Sequence, residues 1–207
     1  MTPRVSIVTT VYDRMACLDR CLRAMRHSAY QDFEQIVVSD SPPLPVREQV
    51  RQLAERAGPQ VLYLNHAPRA NDWGMTPAWA GVRAATGDYV CFLSDDNAYL
   101  PGHLAPLVAA LDVDPSLGFV YSSCLYAGRK VLREAPPRGA AIDLGQPLFR
   151  RQVLLDAFPA GLTFHEFAWD WRLIEALLRR GVRWQHLDAA TFVFRLAQYP
   201  KLMGALA

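Results

Sequence analysis

Apolar residues in this chain fall into two kinds of stretch that alternate. Val5 to Thr10, Phe33 to Val38, Val61 to Leu64, Tyr89 to Leu93 and Phe119 to Ser122 are short runs rich in β-branched and aromatic side chains. Runs of that length and composition read as strands buried on both faces. Between them the spacing changes to a helical one. Leu18, Leu22 and Met25 mark an amphipathic helix from Met15 to about His27, with Asp13 in position to cap it. A charged surface helix is expected over Arg47 to Ala57, and a short helix of small residues over Ala78 to Ala85. Small side chains would let that helix lie close to a sheet. Pro101 is suited to open a further helix over His103 to Leu111. Strand followed by helix, repeated four times, predicts an α/β fold with a mainly parallel sheet covered on both faces.

The pattern changes after Cys124. Tyr126 to Arg133 reads as a strand or hairpin turning at Ala127-Gly128, and Ala135 to Gly145 as a loop. Leu148 to Phe158 reads as helix, Gly161 to Phe167 as loop, and Trp171 to Arg180 as a helix stopped by Gly181. Trp184 to Leu187 and Thr191 to Arg195 read as two strands, and the residues from Tyr199 as a short terminal helix. The expectation is a small antiparallel addition to the parallel sheet. No repeat, low-complexity tract or linker divides the chain, so one domain over 1–207 is predicted.

The polar chemistry gathers at strand ends. The run Tyr89 to Leu93 stops abruptly at Ser94-Asp95-Asp96-Asn97. Carboxylates are costly to bury without a partner, so both acids are expected just past the strand's C-terminal end, in the crevice where open α/β sheets bind ligands. Two hard oxygen donors there suit Mg²⁺ or Mn²⁺, and the metal suits a diphosphate. The plainer alternative is a solvated turn starting the next helix, with Asn97 as a turn residue. Thr10 and Tyr12 follow the first strand and Asp40 ends the second. The right-handed crossover rule brings all three loops to one edge of the sheet.

Composition narrows the class. The net charge of +2 argues against nucleic-acid binding driven by bulk charge. About half of the 207 residues are hydrophobic, enough for a large core. No apolar run is long enough to span a bilayer, and Met1 leads almost directly into a strand, so a cytoplasmic protein is expected. The four cysteines, Cys17, Cys21, Cys91 and Cys124, lack a metal-site spacing and read as free thiols.

Four segments in order carry a resemblance. They are Val5 to Asp13, Tyr30 to Asp40, Ala85 to Val90 followed by Ser94 to Pro101, and Trp169 to Leu173 with Arg180-Gly181 closing the helix. Together they resemble family 2 glycosyltransferases of the GT-A, Rossmann-like fold, with the bacterial spore-coat polysaccharide branch nearest in likeness. The resemblance implies a metal-dependent, inverting transfer of sugar from a nucleotide-diphosphate sugar, UDP or dTDP, to a hydroxyl or amine acceptor. It implies a nucleotide-sugar binding half over 1–124 and an acceptor-side half over 125–207. Thr10 and Tyr12 would sit at the nucleobase, Asp40 would accept from a base N–H, and Arg69 would contact the nucleotide. Asp95 would hold ribose or the metal's shell, Asp96 would ligate Mn²⁺ or Mg²⁺, and Asp170 would be the catalytic base. A place in polysaccharide or secondary-metabolite synthesis follows, with a saccharide or small-molecule acceptor. Ser94 departs from the aspartate many members carry, Pro77-Ala78-Trp79 from a frequent helix arginine, and Trp169 from an acid before the catalytic aspartate.

Plainer roles stand beside these. Tyr12 could cover the core, Asp40 could form a turn, and Asp170 could cap the helix that follows it. A helix N-terminus lowers a carboxylate's pKa, which works against a strong base. Glu166 is the rival base. Trp169 and Trp171 are candidates to line the acceptor site, against core packing. Trp73 and Trp79 also exceed what a core of this size needs. A sugar-phosphate nucleotidyltransferase would share the acids and the sheet, but Thr9 to Arg14 holds no glycine for a phosphate loop. A catalytically degenerate nucleotide-sugar binding module is the other alternative, and a homo-oligomer is left open.

Overall fold

Alternate residues of the first strand point to opposite sides of the sheet, and both sides are apolar. In β1 (Val5–Val11), Val8 packs into one core while Val5 and Ile7 pack into the other. The central strand β4 (Tyr89–Phe92) repeats the division, Val90 and Phe92 on one side, Tyr89 and Cys91 on the other. A sheet apolar on both faces must be covered twice. One face is covered by α3 (Met75–Ala84), α5 (Arg151–Ala157) and α6 (Trp169–Arg179), the other by α1 (Met15–Arg26) and α4 (Leu104–Val113). A helix over Leu44–Ala57, α2, packs beside α1 through Val50. The structure, a computed structural model, describes residues 2–126, 130–157, 168–198 and 204.

β1 to β4, with β2 at Phe33–Asp40 and β3 at Val61–His66, are parallel in the order β3-β2-β1-β4. The remaining strands are β5 (Ala98–Tyr99), β6 (Leu117–Tyr126), β7 (Lys130–Leu132), β8 (Pro147–Arg150) and β9 (Arg183–Val193). The sheet continues past β4 through β8, β6, β9 and β5, and β7 forms an antiparallel hairpin with β6. β8 runs antiparallel to both of its neighbours, so β4 and β6 are parallel to one another. β6 and β9 are parallel, and β5 closes the far edge antiparallel to β9. The predicted mainly parallel α/β sheet with an antiparallel addition is what forms.

Several elements differ in extent. Of the helix expected over Leu148 to Phe158, the described residues 148–157 form two elements, and Phe158 lies outside the described residues. Leu148 and Phe149 are fully buried because β8 fills the slot between β4 and β6, where the sheet offers backbone partners on both sides. Tertiary pairing overrides a short helical pattern there. The two strands expected after Trp184 are one strand, whose register against β6 shifts between Ser122 and Ser123, so Asp188-Ala189-Ala190 lies at an irregularity rather than a break. α2 begins at Leu44 because Pro45, needing no amide hydrogen bond, fits the first turn. His103, not Pro101, precedes α4. Asp13 caps nothing; Arg14 occupies the N-cap position of α1 without a side-chain cap.

Close packing of α3 decides where the site sits. A Cβ on Gly81 would lie 2.4 Å from Val8 Cγ1, so only glycine lets this helix approach β1 so closely. That approach carries the loop before α3 onto the C-terminal ends of β1 and β2. The four cysteines expected as free thiols are free, with Cys21, Cys91 and Cys124 buried and Cys17 partly so. Among the described residues, no helix is long and apolar enough to cross a membrane.

Candidate functional site: two cavities sharing a wall

β1, β2 and β4 are parallel, so their C-terminal ends share an edge, and the loops beyond them meet. Thr10, Tyr12, Asp40 and Arg69, four residues named from the sequence, line one cavity of about 430 Å³ with Arg14, Asn71, Trp73 and Gly74. The guanidinium of Arg69 lies 3.9 Å from the centre of the Tyr12 ring, a cation–π contact that holds both side chains flat. The Asp40 carboxylate accepts from the amides of Ala70 (2.8 Å) and Asn71 (3.0 Å), one bond to each oxygen. It therefore ties the loop carrying Arg69 to the end of β2. Each oxygen keeps a second lone pair.

The acidic loop after β4 stands next to this cavity. Ser94 and Asn97 are bridged by a turn hydrogen bond, and the buried Asn97 accepts from the Arg195 amide at 2.8 Å. The Leu196 amide donates to the Asp96 carbonyl at 2.9 Å, so the segment after β9 braces the acids. Both acids bond to Arg14. Its Nε reaches Asp95 Oδ2 at 3.1 Å, its Nη2 reaches Asp95 Oδ1, and its Nη1 reaches Asp96 Oδ2 at 2.8 Å. The Asp95 side chain is fully buried, whereas 26% of that of Asp96 is open. Burial pushes the Asp95 carboxyl up to about 7, against the opposing pull of Arg14 and with a further push from Asp96. Arg14 escaped the sequence reading. Its signal was a cation in the loop after β1, but nothing local says which strand end it will face.

A second cavity, of about 460 Å³, lies against Ser94 at the start of the acidic loop. Ser94, Asp143, Trp169, Asp170 and Trp171 line it, and Thr10 and Trp73 line both cavities. Asp170 lies in the first turn of α6, one residue past the start, and its Oδ1 accepts from the Trp171 amide at 2.7 Å. It is not the N-cap, which is Ala168. Burial raises its pKa despite that amide, so desolvation outweighs the lowering expected from the helix end. Trp169 belongs to the core as well as to the cavity. It is 9% exposed, meets Phe92 edge-on at 6.4 Å between centroids, and donates from Nε1 to the Trp73 carbonyl at 3.2 Å. Trp171 is half-buried on the cavity wall, with its indole beside Gly139. Glu166, the rival base, lies outside the described residues.

Asp143 is the second residue that sequence reasoning missed. It sits in the loop before β8, accepts from the Gly145 amide at 2.8 Å, and is pushed up to about 6 by burial, with Asp170 and Asp96 adding to the effect. A single acid in a Pro/Gly-rich loop carries no local signature, so only the fold reveals that it faces the same cavity as Asp170.

Sheet order, acidic strand end and paired cavities define a GT-A type α/β fold. Solved structures agree. Staphylococcus aureus TarS residues 1–349, determined in complex with UDP-GlcNAc, superposes with a TM-score of 0.76 at 18% identity, over 94% of this chain and 58% of that one. The mannosyltransferase PcManGT of Pyrobaculum calidifontis, in complex with GDP-Man and Mn²⁺, gives 0.73 at 21% identity, over 95% and 58%. The statistical model of "Glycosyl transferase family 2" matches residues 6–162, and the chain belongs to that family. An uncharacterised glycosyltransferase of Nostoc sp. is 23% identical over 175 residues, 75% of this chain and 53% of its own length. The GalNAc(5)-diNAcBac-PP-undecaprenol beta-1,3-glucosyltransferase of Campylobacter jejuni is 24% identical over 123 residues, 59% of this chain and 38% of its own. The chain thus spans about half the length of the relatives it matches or less.

Proposed function

We propose that this chain is a metal-dependent, inverting glycosyltransferase unit that moves a sugar from a UDP or dTDP donor to a hydroxyl or amine acceptor. The carrying observation is the shared wall: the cavity of Tyr12, Asp40 and Arg69 shares Thr10 and Trp73 with the cavity of Asp170, and the acids are tied to both, through Arg14 on the wall of the first and their neighbour Ser94 on the wall of the second. In this reading a pyrimidine stacks against Tyr12, and Asp40 accepts from its N–H through a spare lone pair. Arg69 meets the nucleotide's negative charge.

The donor set fits a hard divalent cation. Asp96 offers a partly open carboxylate that would hold an ion of the Mg²⁺ or Mn²⁺ type, a class of ion that needs only one or two protein carboxylates beside substrate phosphates. Among the described residues no group of three or more His, Cys, Asp or Glu side chains is gathered for a metal. When bound, the ion supplies Lewis-acid neutralisation of the departing diphosphate. Asp95, held by Arg14, supports Asp96 and the ribose side. Asp170 takes the acceptor proton as the new bond forms, and a single displacement inverts the anomeric carbon. Its raised pKa favours that role over the weak base expected of a helix N-terminus.

Division of labour follows the same lines, with residues 1–124 serving the donor and 125–207 the acceptor, within one domain over 1–207. Trp169 and Trp171 would line the acceptor's path. The spore-coat polysaccharide branch names the acceptor class we favour, a growing saccharide, and a cytoplasmic location goes with it. Calorimetry of UDP and dTDP with Mn²⁺, Mg²⁺ or chelator tests the donor half. Binding should require the metal and should vanish in Asp96→Ala while that variant still melts cooperatively. Equal affinity in chelator would defeat the metal role, and binding without any turnover or donor hydrolysis would favour a degenerate binding module.

A further inference from the structure

Trp73 combines high exposure with an uncommon backbone conformation. Its side chain is 66% exposed, although it is among the largest apolar groups in the chain. Its φ of +59° lies in the left-handed region, which bulky L-residues avoid and which recurs at ligand-binding sites. Asn71 and Gly74 on either side also have positive φ, at 53° and 83°. The loop is nonetheless held firmly. Asp40 accepts the Ala70 and Asn71 amides, Asp72 accepts the Thr76 amide at 3.0 Å, and the Trp73 carbonyl accepts Trp169 Nε1. A Cβ on Gly74 would stand 3.1 Å from Thr10 Oγ1, so the loop is pressed against the end of β1. A pinned backbone in a costly conformation, carrying a large exposed aromatic, suits a preorganised ligand contact.

Position names the ligand. Trp73 and Thr10 line both cavities, so Trp73 belongs to the wall that the two share. Building on the proposed donor reading, the group at that wall is the sugar, joined to the diphosphate on one side and attacked from the Asp170 side on the other. We infer that Trp73 is a positioning residue whose indole packs against the C–H face of the donor's pyranose ring and aligns its anomeric carbon toward the acceptor cavity. An aromatic plane offers large, rigid apolar contact with little rotamer freedom to lose, which suits a ring that must be held at one angle.

The test compares a bare nucleotide with nucleotide sugars. Titrations with Mn²⁺ present would use UDP, UDP-glucose, UDP-galactose and UDP-N-acetylglucosamine against wild type, Trp73→Phe, Trp73→Ala and Trp73→Gly. For the best-bound sugar, Trp73→Ala and Trp73→Gly should lose about tenfold in affinity while UDP binding stays within about twofold, and Trp73→Phe should recover most of the loss. Trp73→Gly is the control for folding. Glycine accepts a positive φ and keeps the carbonyl that Trp169 needs, so its melting temperature should be no lower than that of Trp73→Ala. Equal losses for UDP and its sugars, or no loss for either, would overturn the inference while leaving the donor reading intact. A wild-type chain that bound none of these, and neither dTDP nor dTDP-glucose in the same titration, would bring down both.

Discussion

Replacing Arg14 by methionine asks what holds the acidic loop together. The substitution keeps an unbranched apolar stem and deletes every guanidinium bond to Asp95 and Asp96. Breaking a fully buried ion pair costs roughly 3–5 kcal/mol. Here the figure must be discounted, because half of the Arg14 side chain is open to water and Asp96 is partly open. Asp95 also has an escape, since a carboxyl already raised to about 7 can take up a proton instead of staying charged. A loss of about 1–3 kcal/mol remains, the range for a buried polar group left unsatisfied. For a chain of this size that is a fall of roughly 3–10 °C in melting temperature at about pH 8. The deficit should narrow near pH 5.5, where Asp95 is neutral and needs no partner.

Manganese supplies the sharper half of this experiment. In the wild type a cation at Asp96 must compete with Arg14; in the variant it does not. A tenfold gain in affinity adds about 1.4 kcal/mol of stabilisation at saturating metal. Thermal shift with and without Mn²⁺ should therefore show a larger metal-induced rise in Arg14→Met than in wild type, by about 3–5 °C. An equal or smaller rise would refute competition between Arg14 and the cation for Asp96, and an unchanged melting temperature without metal would refute the bracing of the loop by Arg14.

The linkage of Asp95 to pH gives a second check. Its folded pKa is raised above the ordinary 3.8, so its contribution is full below that value and is lost as pH rises through about 7. Wild type should lose melting temperature relative to Asp95→Asn as pH climbs from about 4 to 8; an opposite slope would contradict the burial argument. Asp170→Asn should leave UDP affinity within about twofold and reduce transfer by roughly 10²–10⁴, measured by release of UDP with acceptor present. Retained transfer would move the base to Glu166. Gly81→Ala would force a methyl to 2.4 Å from Val8 Cγ1, and overpacking against that stiff side chain should cost about 1–3 kcal/mol in urea unfolding despite alanine's better helix propensity.

Much of this was legible from the linear chain. Buried strands and amphipathic helices announce themselves through local composition, so β1 to β4 and α1 stand where their patterns put them. A strand that ends in carboxylates delivers them to its rim; Asp96 stays partly open there as the desolvation argument expects, whereas Asp95 is fully buried and is paired with Arg14 instead. Partner choice is not local. Whether Leu148-Phe149 joins a helix or a sheet depended on an open slot between β4 and β6, which no neighbour in sequence encodes. The same holds for Arg14, which finds Asp95 across 81 positions, and for Asp143, which meets Asp170 in one cavity. Trp73 shows the division most plainly: its aromatic excess was visible in the chain, but its left-handed backbone and its station between two cavities arise only when α3, seated on β1 through Gly81, carries its loop to the rim.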